Sequence, residues 1–422
     1  MGGPSPAFSL APLPRKSRRG RGSRKESPRL PGVFYKSARL PMRVLLGIHH
    51  PLDPDMGAPG VTLALGQALA AQGCEVDYFS YHDAYPGERH HTAAHGLRFP
   101  WKLTAHLLRA ARRYDVLDIT TGDAWPWMRL GRPGARARHA LVTRSHGLEH
   151  TFSERLRAGA RAGHVSLSWK YPLYHGGYRL WEVRQSLLRA DHAVLLNTRD
   201  AAYAVERLGV PSARLSVVPH GLDAAFQSLP VPAPPAPGAP LRVACVASWL
   251  ALKGRAEMVE AATRLHAEGV DFTLTLYGTG NPEAEVLAAF PSGARERVRV
   301  VPRYPRAELP RLLREEEVLY FPSHSEGFGM ALVESMACGL APVSTPVGVA
   351  PQVVRDGETG WLVPVGDVDA QVAALRFFAQ ERTRLLGLRE AAQAAVREMT
   401  WRDIAARTRQ IYETLLRARE NV

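Results

Sequence analysis

The chain has 422 residues, a formal net charge of +14 and 45% hydrophobic content, which is too long for one compact core and predicts two domains of about 150 to 200 residues each. Its three cysteines, Cys74, Cys245 and Cys338, lie far apart with no CxxC pair. That excludes a disulfide framework or zinc site as the organising feature and points to a reducing, cytoplasmic setting; no apolar run approaches the roughly 20 residues of a membrane-spanning helix.

In chain order, residues 1–41 hold ten Lys or Arg against the single acid Glu26. Without helical or strand periodicity they are expected to be a disordered basic extension, unless translation begins at Met42. Strands are predicted at 43–48, 75–80, 115–120, 139–144, 192–197 and 214–219, with a helical run at 61–73 after the first. Strand and helix in alternation mark a parallel sheet wound with helices over residues 42–230. The stretch PVPAPPAPGAP that follows sustains neither helix nor ladder and reads as a stiff linker over 231–240. The alternation then restarts with LRVACVA, DFTLTLYG, RVRVVPR, EVLYFPS, APVSTP and GWLVPV as strands, giving a second domain over 241–398. An amphipathic helix follows within 399–422. The fold class expected is α/β, two Rossmann-like domains with parallel sheets whose strand ends face each other across a cleft.

The stretch SHSEGFGMALVESMACG, residues 323–339, lies where one of those strands hands over to a helix, with Gly339 as its stop. The first helical amides near Gly327 to Gly329 suit an anion such as phosphate. Glu326 at the mouth and Glu334 two turns down are either partners of sugar hydroxyls or, respectively, a helix-capping acid and a solvated charge. Lys253 follows the first strand of the second domain and is either a point charge for a diphosphate or a surface lysine before a helix.

These residues resemble the retaining glycosyltransferases of family 4, which have two facing Rossmann-like domains, the GT-B fold, and a motif of two glutamates separated by seven residues. The resemblance covers about Met42 to Val422. It extends to MGAPGV (56–61), SHGLEH (145–150), VVPHGLDAAF (217–226), SWLALKG (248–254), LYGTGNPE (276–283) and PVGVAPQVVRDGETGWLV (346–363).

By this resemblance Lys253 binds the donor diphosphate, Glu326 the sugar hydroxyls and Glu334 the nucleotide ribose. Gly327, Phe328, Gly329, Gly348 and Gly278 are implied as further donor-binding positions. Ser248 stands where the family usually has an arginine, which shifts phosphate binding onto Lys253 and the helix amides. Gly57 and Gly60 match the glycine-rich turn near the donor phosphate or the acceptor, with Pro59 replacing one of the family's paired glycines. His146 matches the histidine that faces the donor sugar, and His150 is read as structural.

The implied enzyme is a retaining hexosyltransferase, metal-independent and without a cofactor, using a UDP- or GDP-sugar in surface polysaccharide or glycolipid assembly. By resemblance, the last helix crosses back to pack on the first domain. Residues 129–189 hold twelve basic and three acidic residues with Trp169, Tyr171, Tyr174, Tyr178 and Trp181 interleaved. They read either as a peripheral surface toward anionic membrane and a lipid-linked acceptor, or as core aromatics under a solvated basic face. No nucleic-acid module accompanies them. The alternatives are a sugar-nucleotide epimerase or phosphorylase on the same fold, and a non-catalytic nucleotide-sugar binding subunit.

Overall fold

A computed structural model of the chain describes residues 41–88, 92–131, 139–161, 163, 165–233, 236 and 238–420. The basic extension of residues 1–41 lies outside them except for Pro41, as do residues 234, 235 and 237 of the linker.

Twelve strands form two six-stranded parallel sheets. The first contains β1 Arg43–Gly47, β2 Glu75–Phe79, β3 Val116–Thr120, β4 Ala140–Arg144, β5 His192–Leu195 and β6 Leu215–Val217, in the order β2-β1-β3-β4-β5-β6. The second contains β7 Leu241–Val246, β8 Phe272–Tyr277, β9 Val298–Val301, β10 Val318–Phe321, β11 Ala341–Ser344 and β12 Trp361–Leu362, in the order β12-β11-β10-β7-β8-β9. Every strand expected from the apolar runs is present. The runs are legible because β3, β4, β10 and β11 are buried along their whole length, as strands covered on both faces must be.

The two faces separate by alternation. Leu241, Val243 and Cys245 enter one core cluster, while Ala244 and Val246 enter another on the opposite face, following the two-residue period of a strand. In the first sheet Leu45, Leu117 and Leu141 share one core, and Val44, Leu46, Val116, Ala140 and Val142 share the other.

That second core is closed by two helices distant in sequence. The helix Gly57–Ala71 contributes Leu65 and Leu69, and the helix Trp401–Glu420 contributes Ile404, Ala405 and Tyr412. The Tyr412 hydroxyl donates to Asp118 of β3, whose carboxylate also receives Arg144 Nη2 at 2.6 Å. Gln72 Nε2 donates to the Arg402 carbonyl at 2.7 Å, fixing the start of the last helix on the first sheet.

Strand order also locates the ligand edges. In the first sheet the order reverses between β1 and β3, and in the second between β7 and β10. In open parallel sheets the crevice beyond the carboxyl ends at such a reversal is where ligands bind.

Candidate functional site

At the second reversal, the loops after β7 and β10 bring Lys253 and Glu326 together from 73 residues apart. Lys253 Nζ donates to Glu326 Oε1 at 2.7 Å and to Oε2 at 2.8 Å, and both side chains retain some exposure. The lysine is held there by a glycine: Gly254 has φ of +80°, and a Cβ on it would meet the Pro322 carbonyl oxygen at 2.4 Å. Glu326 therefore engages an ammonium, and the cap of the helix Met330–Ala337 is Gly329, at φ +96°. Gly327 and Phe328 belong to the turn before the helix begins.

The other positions of this site fall into different environments. Ser248 and Gly278 follow the carboxyl ends of β7 and β8, Ser248 exposed and Gly278 at φ +74° beside the Tyr304 ring. Gly348 packs on the turn itself, where a Cβ would meet the Phe328 carbonyl oxygen at 2.2 Å; Val349 N–H donates to that same oxygen at 2.8 Å. The Phe328 side chain is 4% exposed and lies in the core with Leu332 and Val347, so its contribution to the cleft is its backbone.

Glu334 is 3% exposed, not a solvated charge on a helix face. It pairs with Arg306 Nη2, and Arg306 Nε in turn donates to Asp223 Oδ2 at 3.2 Å. Burial pushes the Glu334 carboxyl up to about 7, against the opposing pull of Arg306.

From the first half, three groups reach the Ser325–Gly327 turn. Arg155 Nη1 donates to Ser325 Oγ and to the Glu326 carbonyl oxygen, both at 3.3 Å. Asn197 Nδ2 approaches the Gly327 carbonyl oxygen at 3.4 Å. The loop after β4 abuts Gly327 directly, since a Cβ on Gly147 would stand 2.5 Å from the Gly327 Cα.

His146 in that loop is partly buried, with its ring 5.8 Å from His220, which in turn meets Phe328 edge-on. Its Nδ1 is buried and has no hydrogen-bond partner among the described residues. Burial, reinforced by Arg144, pushes its pKa down to about 4, so the ring is neutral at physiological pH. The cavity it lines with Gly47, Asp118 and His220 has about 10 Å³, room for about one water. Gly60 is tightly placed, where a Cβ would meet the Pro54 carbonyl oxygen at 2.5 Å, whereas Gly57 has open space around it.

A second charged cluster occupies the reversal of the first sheet. His49 Nδ1 lies 2.8 Å from Asp123 Oδ2, and Arg179 Nη1 donates to Asp123 Oδ1 at 3.1 Å. Trp125 Nε1 donates to Glu182 Oε1 at 2.9 Å, and burial pushes the Glu182 carboxyl up to about 7 despite Arg179. Sequence reading missed Asp123, Arg155, Arg179, Asn197 and Arg306. Their one signal is position, each lying within or just beyond a predicted strand end or a basic helix.

Residues 57–226 match the family described as Glycosyltransferase Family 4, and residues 232–398 match Glycosyl transferases group 1. The amylovoran biosynthesis glycosyltransferase AmsK of Erwinia amylovora is 31% identical over 45% of this chain and 48% of its own length. A D-inositol 3-phosphate glycosyltransferase of Xylanimonas cellulosilytica is 27% identical over 89% of this chain and 97% of that protein. The chain thus spans about half the length of the first relative and nearly all of the second. Sucrose-phosphate synthase from Thermosynechococcus elongatus shares the fold with a TM-score of 0.68 at 20% identity, covering 89% of this chain and 100% of that one. Anabaena Alr3699/HepE, solved in complex with UDP, does so with a TM-score of 0.64 at 16% identity, covering 88% and 100%. Apart from β1, every strand of both sheets falls inside the matched stretches, and the chain belongs to the group 1 glycosyltransferases, with the GT-B architecture of two Rossmann-like halves.

Proposed function

We propose that this chain transfers a sugar from a nucleotide-diphosphate sugar to an acceptor hydroxyl with retention at the anomeric carbon, without a metal, in surface polysaccharide or glycolipid assembly. The observation that carries this reading is the Lys253 ammonium seated on the Glu326 carboxylate at the reversal of the second sheet. A donor diphosphate entering there brings the negative charge that Lys253 suits, and its sugar hydroxyls supply the donors that Glu326 accepts.

In the step itself the anomeric carbon to phosphate oxygen bond breaks and the bond to the acceptor oxygen forms on the same face. The acceptor proton passes to the departing diphosphate. Lys253 and the amides of the Gly327–Gly329 turn carry the leaving charge. In this reading His146, neutral at working pH, faces the sugar as a hydrogen-bonding ring, and Glu334 accepts from the ribose hydroxyls once Arg306 yields. AmsK is named for amylovoran biosynthesis, and HepE was solved with UDP and UDP-glucose, which supports a nucleotide sugar as donor and a polysaccharide or glycolipid as destination.

The acceptor is assigned to the first half, where the surface offered to it combines cations and exposed rings. Trp169 is 77% and Trp181 36% exposed. Lys170 Nζ lies 5.5 Å from the Trp169 ring, and the Arg129 guanidinium 5.9 Å from that of Trp181. Such a surface suits peripheral contact with anionic headgroups. Among the described residues no helix is long and apolar enough to cross a membrane.

Thermal unfolding with UDP, GDP, ADP, TDP and CMP in EDTA tests the donor site, since a ligand at about a hundred times its Kd stabilises by about 2.7 kcal/mol. One nucleotide raising the midpoint without metal supports the transferase reading. No response to any of them overturns it, together with the epimerase and nucleotide-sugar binding alternatives, and favours the phosphorylase.

A further inference from the structure

The donor site lies at the carboxyl edge of the second sheet, and the amino edge of the same sheet carries a second concentration of charge. An open groove of about 600 Å³ is lined there by Leu241, Asp271, Glu317, Arg382, Leu385 and Arg389. Because the strands are parallel, this edge is opposite the one that holds Lys253 and Glu326.

Glu317, 2% exposed, accepts from Arg382 Nη2 at 2.8 and 2.7 Å and from the Arg242 backbone N–H at 3.2 Å. The Arg242 guanidinium lies 3.5 Å from the same carboxylate. Arg389, 1% exposed, donates Nε to the Gly339 carbonyl oxygen at 2.7 Å. Two guanidinium nitrogens on the groove's helix, Arg382 Nη1 and Arg389 Nη2, are buried and have no hydrogen-bond partner among the described residues. The other acids on the groove are engaged elsewhere, Asp271 by Arg297 and Glu268 by Arg376.

Three guanidiniums around one carboxylate leave a surplus of two positive charges. Arg382 and Arg389 are seven residues apart on the helix Arg382–Val396, so they project from one face. The first turn of that helix, with Arg382 and Leu385, lines the groove and adds the positive end of its dipole. Leaving guanidinium N–H groups buried and unbonded is costly, and an oxyanion in the groove supplies the acceptor they lack, since the planar fork matches phosphate oxygens.

We propose that this groove binds a phosphate group, either free or as the terminal phosphomonoester of a small metabolite, at a site separate from the donor cleft. The proposal does not depend on the transfer reaction. Isothermal titration of the full chain with inorganic phosphate, and separately with glycerol 3-phosphate, tests it. Saturable one-to-one binding is expected, unchanged within about twofold in Lys253→Ala and weakened about tenfold or more in Arg382→Gln. Stronger binding of glycerol 3-phosphate assigns the ester, and stronger binding of inorganic phosphate the free ion. Arg389→Lys, which keeps the charge and removes the fork, serves in place of Arg382→Gln if that variant does not fold. Absence of saturable binding by either probe, or binding lost in Lys253→Ala and kept in Arg382→Gln, overturns the proposal.

Discussion

Gly147 and Gly327 meet backbone to backbone across the two halves. A Cβ on Gly327 would stand 2.4 Å from the His146 carbonyl oxygen, just as one on Gly147 would stand 2.5 Å from the Gly327 Cα. Neither obstacle is the end of a flexible side chain, so Gly327→Ala forces the loop and the turn apart. Displacements of about 1 Å near a reacting centre cost on the order of a hundredfold in rate. Donor turnover, followed as release of the nucleoside diphosphate, is expected to fall by about that factor with the thermal midpoint little changed.

Lys253 and Glu326 make separable predictions. Lys253→Ala removes the cation expected to hold the diphosphate and weakens nucleotide binding and turnover together. Glu326→Ala abolishes turnover while leaving nucleotide binding largely intact. Calorimetry with the nucleotide identified by thermal unfolding checks both. Loss of nucleotide binding together with stability in Glu326→Ala would make that glutamate a structural group.

Arg155 tests whether the first half contributes a cation to the donor turn. Its hydrogen bonds to Ser325 and the Glu326 carbonyl tie the helix Glu149–Arg161 to the turn, and each such bond to a charged group contributes about 1.5 to 3 kcal/mol. Arg155→Met is expected to lower nucleotide affinity, measured by titration, with the second sheet still folded by circular dichroism.

His150 isolates a pH effect. Burial pushes its pKa down to about 4, with Arg184 adding to the shift, whereas an unfolded histidine titrates near 6.5. Between those values the unfolded chain binds the extra proton, so the His150 contribution to stability declines as pH falls below about 6.5 and levels off near 4. Urea unfolding of the wild type and His150→Asn should therefore converge by about 2 kcal/mol between pH 7 and pH 5. A difference that stays constant with pH would refute the buried neutral ring.

Much of this molecule is legible in its sequence. All twelve strands are visible: central strands covered on both faces carry nearly continuous apolar runs, as VLYF of β10 illustrates, while edge strands such as VRVV of β9 alternate. Lys253 and Glu326 stand out through glycine-containing turns at strand ends. Arg155 and Asn197 do not, because their role depends on the second half coming within reach of the first, which no local pattern encodes. The Phe328 ring is misleading for a related reason: its neighbours belong to the cleft, yet the turn directs it into the core. Trp169 and Trp181 read equally as core or surface in the sequence, and only packing leaves both exposed, Trp169 the more so.

The bond from Tyr412 to Asp118, with Ile404 and Ala405 in the core of the first sheet, has a consequence for synthesis. Domains ordinarily fold in turn as they leave the ribosome. Here the earliest sheet to emerge lacks one wall until the last helix is made, so the second sheet can complete its own core first. The first half waits with the face formed by Val44, Leu46, Val116 and Val142 covered by the helix Gly57–Ala71 alone, for about 180 residues of translation, roughly 10 to 40 s at about 5 to 20 residues per second.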